Sequence, residues 1–140
     1  MNLRNLDNLK QNIIREKLII EAKLLVLKVF TRGFTQWHLK DKSSYQTFCH
    51  VVCSDDIISN FDNKFELEKE IYFRTKVYDL TVLILKEMGI DASIKKEDNE
   101  FFIFADIPVS MLDDLEKFNL PSTDDVLNFT KTNTFKKDVF

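Results

Sequence analysis

Leu6, Leu9, Ile13, Ile20, Leu24 and Leu27 follow one another at intervals built from three and four residues, the signature of a stripe on one α-helix. A helix from about residue 3 to 32 is predicted. In its second half Ile14, Leu18, Leu25 and Val29 fill another face and Ile19, Val26 and Phe30 a third, leaving Lys17, Glu21 and Lys28 as a narrow polar seam. A helix apolar nearly all round is expected in the centre of the core. Val and Phe favour sheets, so a strand over Leu24 to Phe30 competes. Arg32-Gly33-Phe34 decides for the helix, because a glycine in the left-handed cap followed by an apolar residue is a stop signal.

A second helix is predicted from about residue 64 to 88. Asp62 or Asn63 caps it, Glu66, Glu68 and Glu70 suit the positive end of its dipole, and Met88-Gly89-Ile90 repeats the stop. Leu67, Ile71, Tyr78, Val82 and Leu85 form one stripe and Phe73, Val77, Leu80, Ile84 and Met88 another, so this helix packs on two sides. Beyond Gly89, the extended runs Asp91 to Lys96 and Phe101 to Ile107 flank turn-forming Asp98 and Asn99 and read as an antiparallel hairpin. Tyr45, Thr47, Cys49, Val51 and Cys53 alternate as a third strand, although Tyr45, Phe48 and Val52 also fit a helix. Ser54-Asp55-Asp56 is expected to open a helical turn carrying Ile57, Ile58 and Phe61. Ser110 to Asp113 resembles a capping box for a brief helix to about Phe118, and Pro121 with Ser122-Thr123 opens another.

The fold class that follows is α+β and mostly helical, with two long packed helices, a small antiparallel sheet containing the hairpin, and short C-terminal helices. At 140 residues one domain is expected, over 1–130, with 131–140 a frayed tail.

Composition removes several function classes. Two isolated glycines, Gly33 and Gly89, exclude a Walker-A loop or a dinucleotide-binding turn, both of which need glycines clustered where backbone meets phosphate. Two cysteines are too few for a secreted disulfide scaffold. The apolar stretch Leu18 to Phe30 is interrupted by Glu21, Lys23 and Lys28, which argues against a secretory signal or a membrane span. A cytoplasmic location is expected. The chain is a small acidic protein of net charge -3, but residues 1–42 hold nine Lys or Arg against four acids and residues 43–140 eleven against nineteen. Such a dipolar chain steers partners more than it shapes the fold. Lysine-rich, Asn-, Ile- and Phe-rich usage points to an A/T-rich genome such as that of a low-GC bacterium, a phage or a large DNA virus.

Cys49, His50 and Cys53, with His38 and Asp55 near in sequence, are the only soft ligands, and their spacing is not that of paired zinc knuckles. No metal or cofactor is assigned. A Cys49 or Cys53 nucleophile with His38 or His50 as base lacks a glycine-rich turn to expose it or to build an oxyanion hole, and no catalytic residue is assigned. The acid pairs Asp55-Asp56, Asp113-Asp114 and Asp124-Asp125 read as helix-start residues. Arg74 projects from an apolar arc of the second helix with Glu70 one turn before it; an ion pair is the expected role and an interface anchor the second.

A non-enzymatic protein-interaction module is therefore expected: an adaptor, regulator, immunity-like or inhibitor protein acting through apolar helical and aromatic surface. Its candidate partner contacts are Trp37, Arg74, Phe34 and Tyr45. The partner is another protein, and a helix-mediated homodimer is a supplementary expectation. The alternatives are a nucleic-acid-binding regulator using Arg15, Lys17, Lys28, Arg32, Lys40 and Lys42, a phage or viral inhibitor whose acidic surface mimics nucleic acid, and a small enzyme with a Cys/His/Asp site.

Overall fold

The computed structural model describes residues 3–36, 48–56, 62–108, 111 and 121–132. In chain order the elements are α1 (Leu3–Gln36), β1 (Phe48–Asp56), α2 (Lys64–Glu87), β2 (Asp91–Glu97), β3 (Glu100–Pro108) and α3 (Thr123–Thr132). The strands form one antiparallel sheet in the order β1-β3-β2, as the α+β reading requires.

The most local signals in the sequence translate directly into structure. Asn63 caps α2, its side chain accepting the Phe65 N–H at 2.8 Å, and Lys86 lies in the last turn where a positive charge meets the free carbonyls. At the other end the Ile90 N–H donates to the Leu85 carbonyl at 2.9 Å and the Gly89 N–H to that of Lys86 at 3.0 Å. This is a Schellman closure, and it needs the φ of +87° that Gly89 adopts. The chain turns there and buries Ile90 before entering β2. Asp98 and Asn99 both take positive φ, 49° and 63°, which closes the hairpin with the two-residue turn whose twist matches that of paired strands. Ser122 and Asp125 exchange reciprocal bonds of 3.1 Å at the start of α3, a capping box in which Asp takes the place of Glu.

The sheet alternates as a half-covered sheet should. Phe101, Ile103, Ala105 and Ile107 of β3 are buried, with Val51 and Cys53 of β1 and Ala92 of β2 beside them, while Phe102, Phe104 and Asp106 on the other face are half-buried. Against the covered face lie Leu18, Ile19, Ala22, Val26, Val29 and Phe30 of α1, and Val77, Tyr78, Leu80 and the run Val82 to Leu85 of α2. The Tyr78 and Phe101 rings stack at 4.9 Å and fix α2 to the central strand. Thr81 is buried, and its hydroxyl is satisfied by donating to the Val77 carbonyl at 2.7 Å.

Several expectations change. The first helix runs through Gly33 to Gln36, and the left-handed conformation is not adopted at Gly33. A glycine permits that conformation without imposing it, and the end of α1 is held elsewhere, the Arg32 guanidinium donating to the Val52 carbonyl of β1 at 3.1 Å. Ser54, Asp55 and Asp56 belong to β1, where pairing with Phe102, Phe101 and Glu100 outweighs their local preference for a helix start. Lys131 and Thr132, expected in the tail, belong to α3, and 133–140 lie outside the described residues. Apart from the helical Met111, the helix expected from Ser110 to Phe118 lies outside the described residues, as do Ile57, Ile58 and Phe61. Among the described residues no helix is long and apolar enough to cross a membrane.

The closure at Gly89 gives a direct test. A Cβ there has room, its nearest neighbour being Met111 Cε at 3.8 Å, so the penalty is conformational. Gly89→Ala is expected to lower stability by about 1–2 kcal/mol in urea unfolding, with the slope of the transition unchanged.

Candidate functional site

The largest departure from expectation is on α1. Its core-facing side is the arc of Leu18, Ile19, Ala22, Val26, Val29 and Phe30, whereas the stripe that opens the sequence lies roughly opposite and faces outward. Leu9, Ile13, Ile20 and Leu24 are 52% to 58% exposed and Leu27 is 39% exposed. The reason is one of layers. Among the described residues α1 is packed by α2 on one side and by the sheet on another, and these two supports cover only part of its circumference. At 3.6 residues per turn these five fall within about 60° of arc and extend over roughly 27 Å of helix, while a sixth exposed aliphatic, Ile14, stands apart on the α2 side.

Lysines border this stripe. Lys10, Lys17 and Lys28 flank it on the side toward α2, and Lys23 with Glu16 flank it on the other. Lys17 Nζ sits 5.1 Å from the centre of the Phe73 ring and edges an open groove of about 380 Å³ that also includes Ile14, Tyr72 and Lys76. The exposed rings of α2 are differently placed: Lys69 covers Phe65 and Lys76 covers Tyr72, each ammonium 4.4 Å from the ring centre.

Arg74 makes the expected pair and one that no local pattern announces. Its Nε donates to Glu70 Oε1 at 3.1 Å, and its Nη1 lies 3.4 Å from Glu21 Oε2 on α1. All three side chains are about one-third exposed, so each contact is worth at most about 1 kcal/mol, and the larger effect is to tie the two long helices together.

The other candidates disperse. Arg15 is half-buried, Lys17 and Lys28 stand on the α2 side of the stripe, and Arg32 is engaged with β1, so these four do not share one face. Trp37, Tyr45, Lys40, Lys42 and His38 lie outside the described residues, as does the side chain of Phe34. Strand register separates the cysteines: Cys49 is opposite Ile107 and Cys53 opposite Ile103, with His50 opposite Asp106. Cys53 is a free, buried thiol; desolvation pushes its pKa up, and the positive charges of Arg32 and Lys28 pull it only partly back. A thiol held protonated in this way is a poor nucleophile. Among the described residues no three His, Cys, Asp or Glu side chains converge to hold a metal ion.

Two outcomes follow from these contacts. Arg74→Ala removes both ion pairs and is expected to lower stability by about 1–2 kcal/mol, and Arg74→Met, which also removes both, should lose most of that in the same urea titration. In a Cys49→Ser background, Cys53 should resist a thiol reagent in the native protein and react in denaturant. Because the folded chain retains a proton that the unfolded chain releases, the contribution of Cys53 to stability is complete at pH 7 and is lost as pH rises through the ordinary thiol range. Compared with known proteins, the chain matches no family model, no curated protein and no solved structure.

Proposed function

We propose that this chain is a non-enzymatic protein-interaction module whose contact surface is the outer face of α1. The observation that carries the reading is the row Leu9, Ile13, Ile20, Leu24 and Leu27, exposed together on one line of a helix whose opposite side is firmly buried. Single exposed aliphatics are ordinary, but a continuous line of them is a feature of surfaces that meet a partner.

The magnitudes support a protein partner that brings its own apolar face. Fully burying a Leu or Ile side chain is worth about 1.5–3 kcal/mol, so covering five that are already half-shielded yields on the order of 4–8 kcal/mol. That range only matches the 4–15 kcal/mol estimated for lost rotational and translational freedom on association. A second apolar surface, contributed by the partner, carries the balance toward binding. The face is confined to one helix and is separate from Cys53 and from the register positions of Cys49 and His50, which leaves recognition, rather than reaction, as its chemistry.

The test compares the wild type with the triple variant Ile13→Gln, Ile20→Gln, Leu24→Gln. These residues are exposed, so each change is expected to alter folding stability by no more than about 0.5 kcal/mol. As baits in nuclease-treated extract of the source cell, with light scattering to detect self-association, the wild type should retain a protein partner or its own copy and the variant should retain neither. Identical capture and identical mass for both proteins, or capture that disappears with nuclease, would sink the reading.

A further inference from the structure

We infer that the occupant of this face is a single amphipathic helix with acidic borders, laid lengthwise along α1 from Leu9 to Leu27; this assignment rests on the protein-interaction reading above and names the chemistry of the partner.

Width argues for one helix. Five of the six exposed aliphatics of α1 keep within about 60° of arc, the narrow seam of a two-helix contact, and Ile14 is set apart from them by the lysine border, whereas a helix resting on a lipid surface or under a sheet presents a continuous apolar face broader than about 100°. Spacing argues the same way. Ile13, Ile20 and Leu27 recur every seven residues and keep one seam position apolar, Leu9 and Leu24 lengthen the line, and Lys10, Lys17, Glu16 and Lys23 hold the positions beside it, so a second helix meets one apolar row between charged borders.

Charge selects the partner. Lys10, Lys17 and Lys28 form one border and Lys23 with Glu16 the other, four cations against one anion. Glu21, the acid nearest the first border, is drawn to Arg74 instead. Lys76 continues the positive edge on the far side of the groove that holds Ile14 and Phe73. Residues flanking a helical seam set partner choice through pairs across it, and here those positions call for Glu or Asp. A second copy of this chain repeats the lysines: laid antiparallel on the same stripe, Lys10 of one copy falls alongside Lys28 of the other. The borders therefore favour an acidic helix over self-pairing.

The experiment uses the full chain and synthetic helices of about three heptads with Leu at both seam positions and either Glu or Lys at both flanking positions. Binding is read by fluorescence anisotropy at low and at high salt. The Glu helix is expected to bind roughly tenfold tighter than its Lys twin at low salt, with the gap narrowing as salt rises. The variant Ile13→Gln, Ile20→Gln, Leu24→Gln should bind neither, and Lys10→Glu, Lys17→Glu, Lys28→Glu should reverse the preference. Equal binding of the twins, no binding of the Glu helix, or binding untouched by the stripe variant overturns the acidic-helix assignment. If in that case light scattering finds wild-type dimers that the stripe variant cannot form, the interaction reading stands with a second copy as occupant. If instead vesicles of phosphatidylserine and phosphatidylcholine bind the wild type and not the stripe variant, the face belongs to lipid and both readings fall.

Discussion

The central strand, β3, is hydrogen-bonded along both edges and buried on one face, and every other element takes its position from those three boundaries. Its buried residues, Phe101, Ile103, Ala105 and Ile107, set the surface on which α1 and α2 rest, and the Tyr78 to Phe101 stack fixes where α2 sits on it. The two-residue turn at Asp98 and Asn99 holds β2 in register with β3, and that register places Ala92 and Ile94 on the covered side. A slip of one residue in either pairing would exchange Phe101 for Phe102 and turn the whole core face outward. Once the sheet has one apolar face, two long helices are enough to cover it.

That sufficiency is also why α1 keeps an unused side. A helix over a single sheet buries one arc, and the neighbouring helix buries a second adjacent to it; the arc pointing away from both stays in solvent unless another layer is added. α2 avoids the problem in its C-terminal half, where α1, the sheet and α3 surround it and the residues from Leu80 to Leu85 are all buried. In its N-terminal half the exposed rings of Phe65 and Tyr72 lie beneath lysine stems one turn on. What sets the outer face of α1 apart is its continuity: Leu9, Ile13, Ile20, Leu24 and Leu27 are exposed in one line along the helix, whereas Phe65 and Tyr72 are two separate rings on α2.

The parts legible in the sequence were those fixed by neighbours along the chain. Asn63, Gly89, Asp98 with Asn99, and Ser122 act through backbone bonds within a few residues, and each ends or begins an element near its expected place. The alternation of Tyr45, Thr47, Cys49, Val51 and Cys53 identified a strand, described from Phe48 onward, although only pairing with β3 extends it to Asp56. Periodicity also found the stripe on α1, yet assigned it to the core, because two apolar arcs on one helix have the same period and nothing local states which one meets the sheet. The pair between Arg74 and Glu21 joins residues 53 apart and leaves no trace in spacing. Gly33 shows the converse error, a local stop signal overridden by tertiary contacts at Arg32.

Arg74 links the stability of the helix pair to the character of its outer face. By engaging Glu70 along its own helix and Glu21 across the interface, it draws a carboxylate of α1 inward toward α2. The lysines on the same side of α1 then define the border alone, and the apolar stripe is framed by positive charge where a free Glu21 would have moderated it. Neutral surroundings would let such a stripe meet any apolar helix, its own copy included. On the proposed reading, like charges on this border penalise self-pairing and admit an oppositely charged helix, so that the ion pair holding α1 against α2 also narrows what α1 would receive.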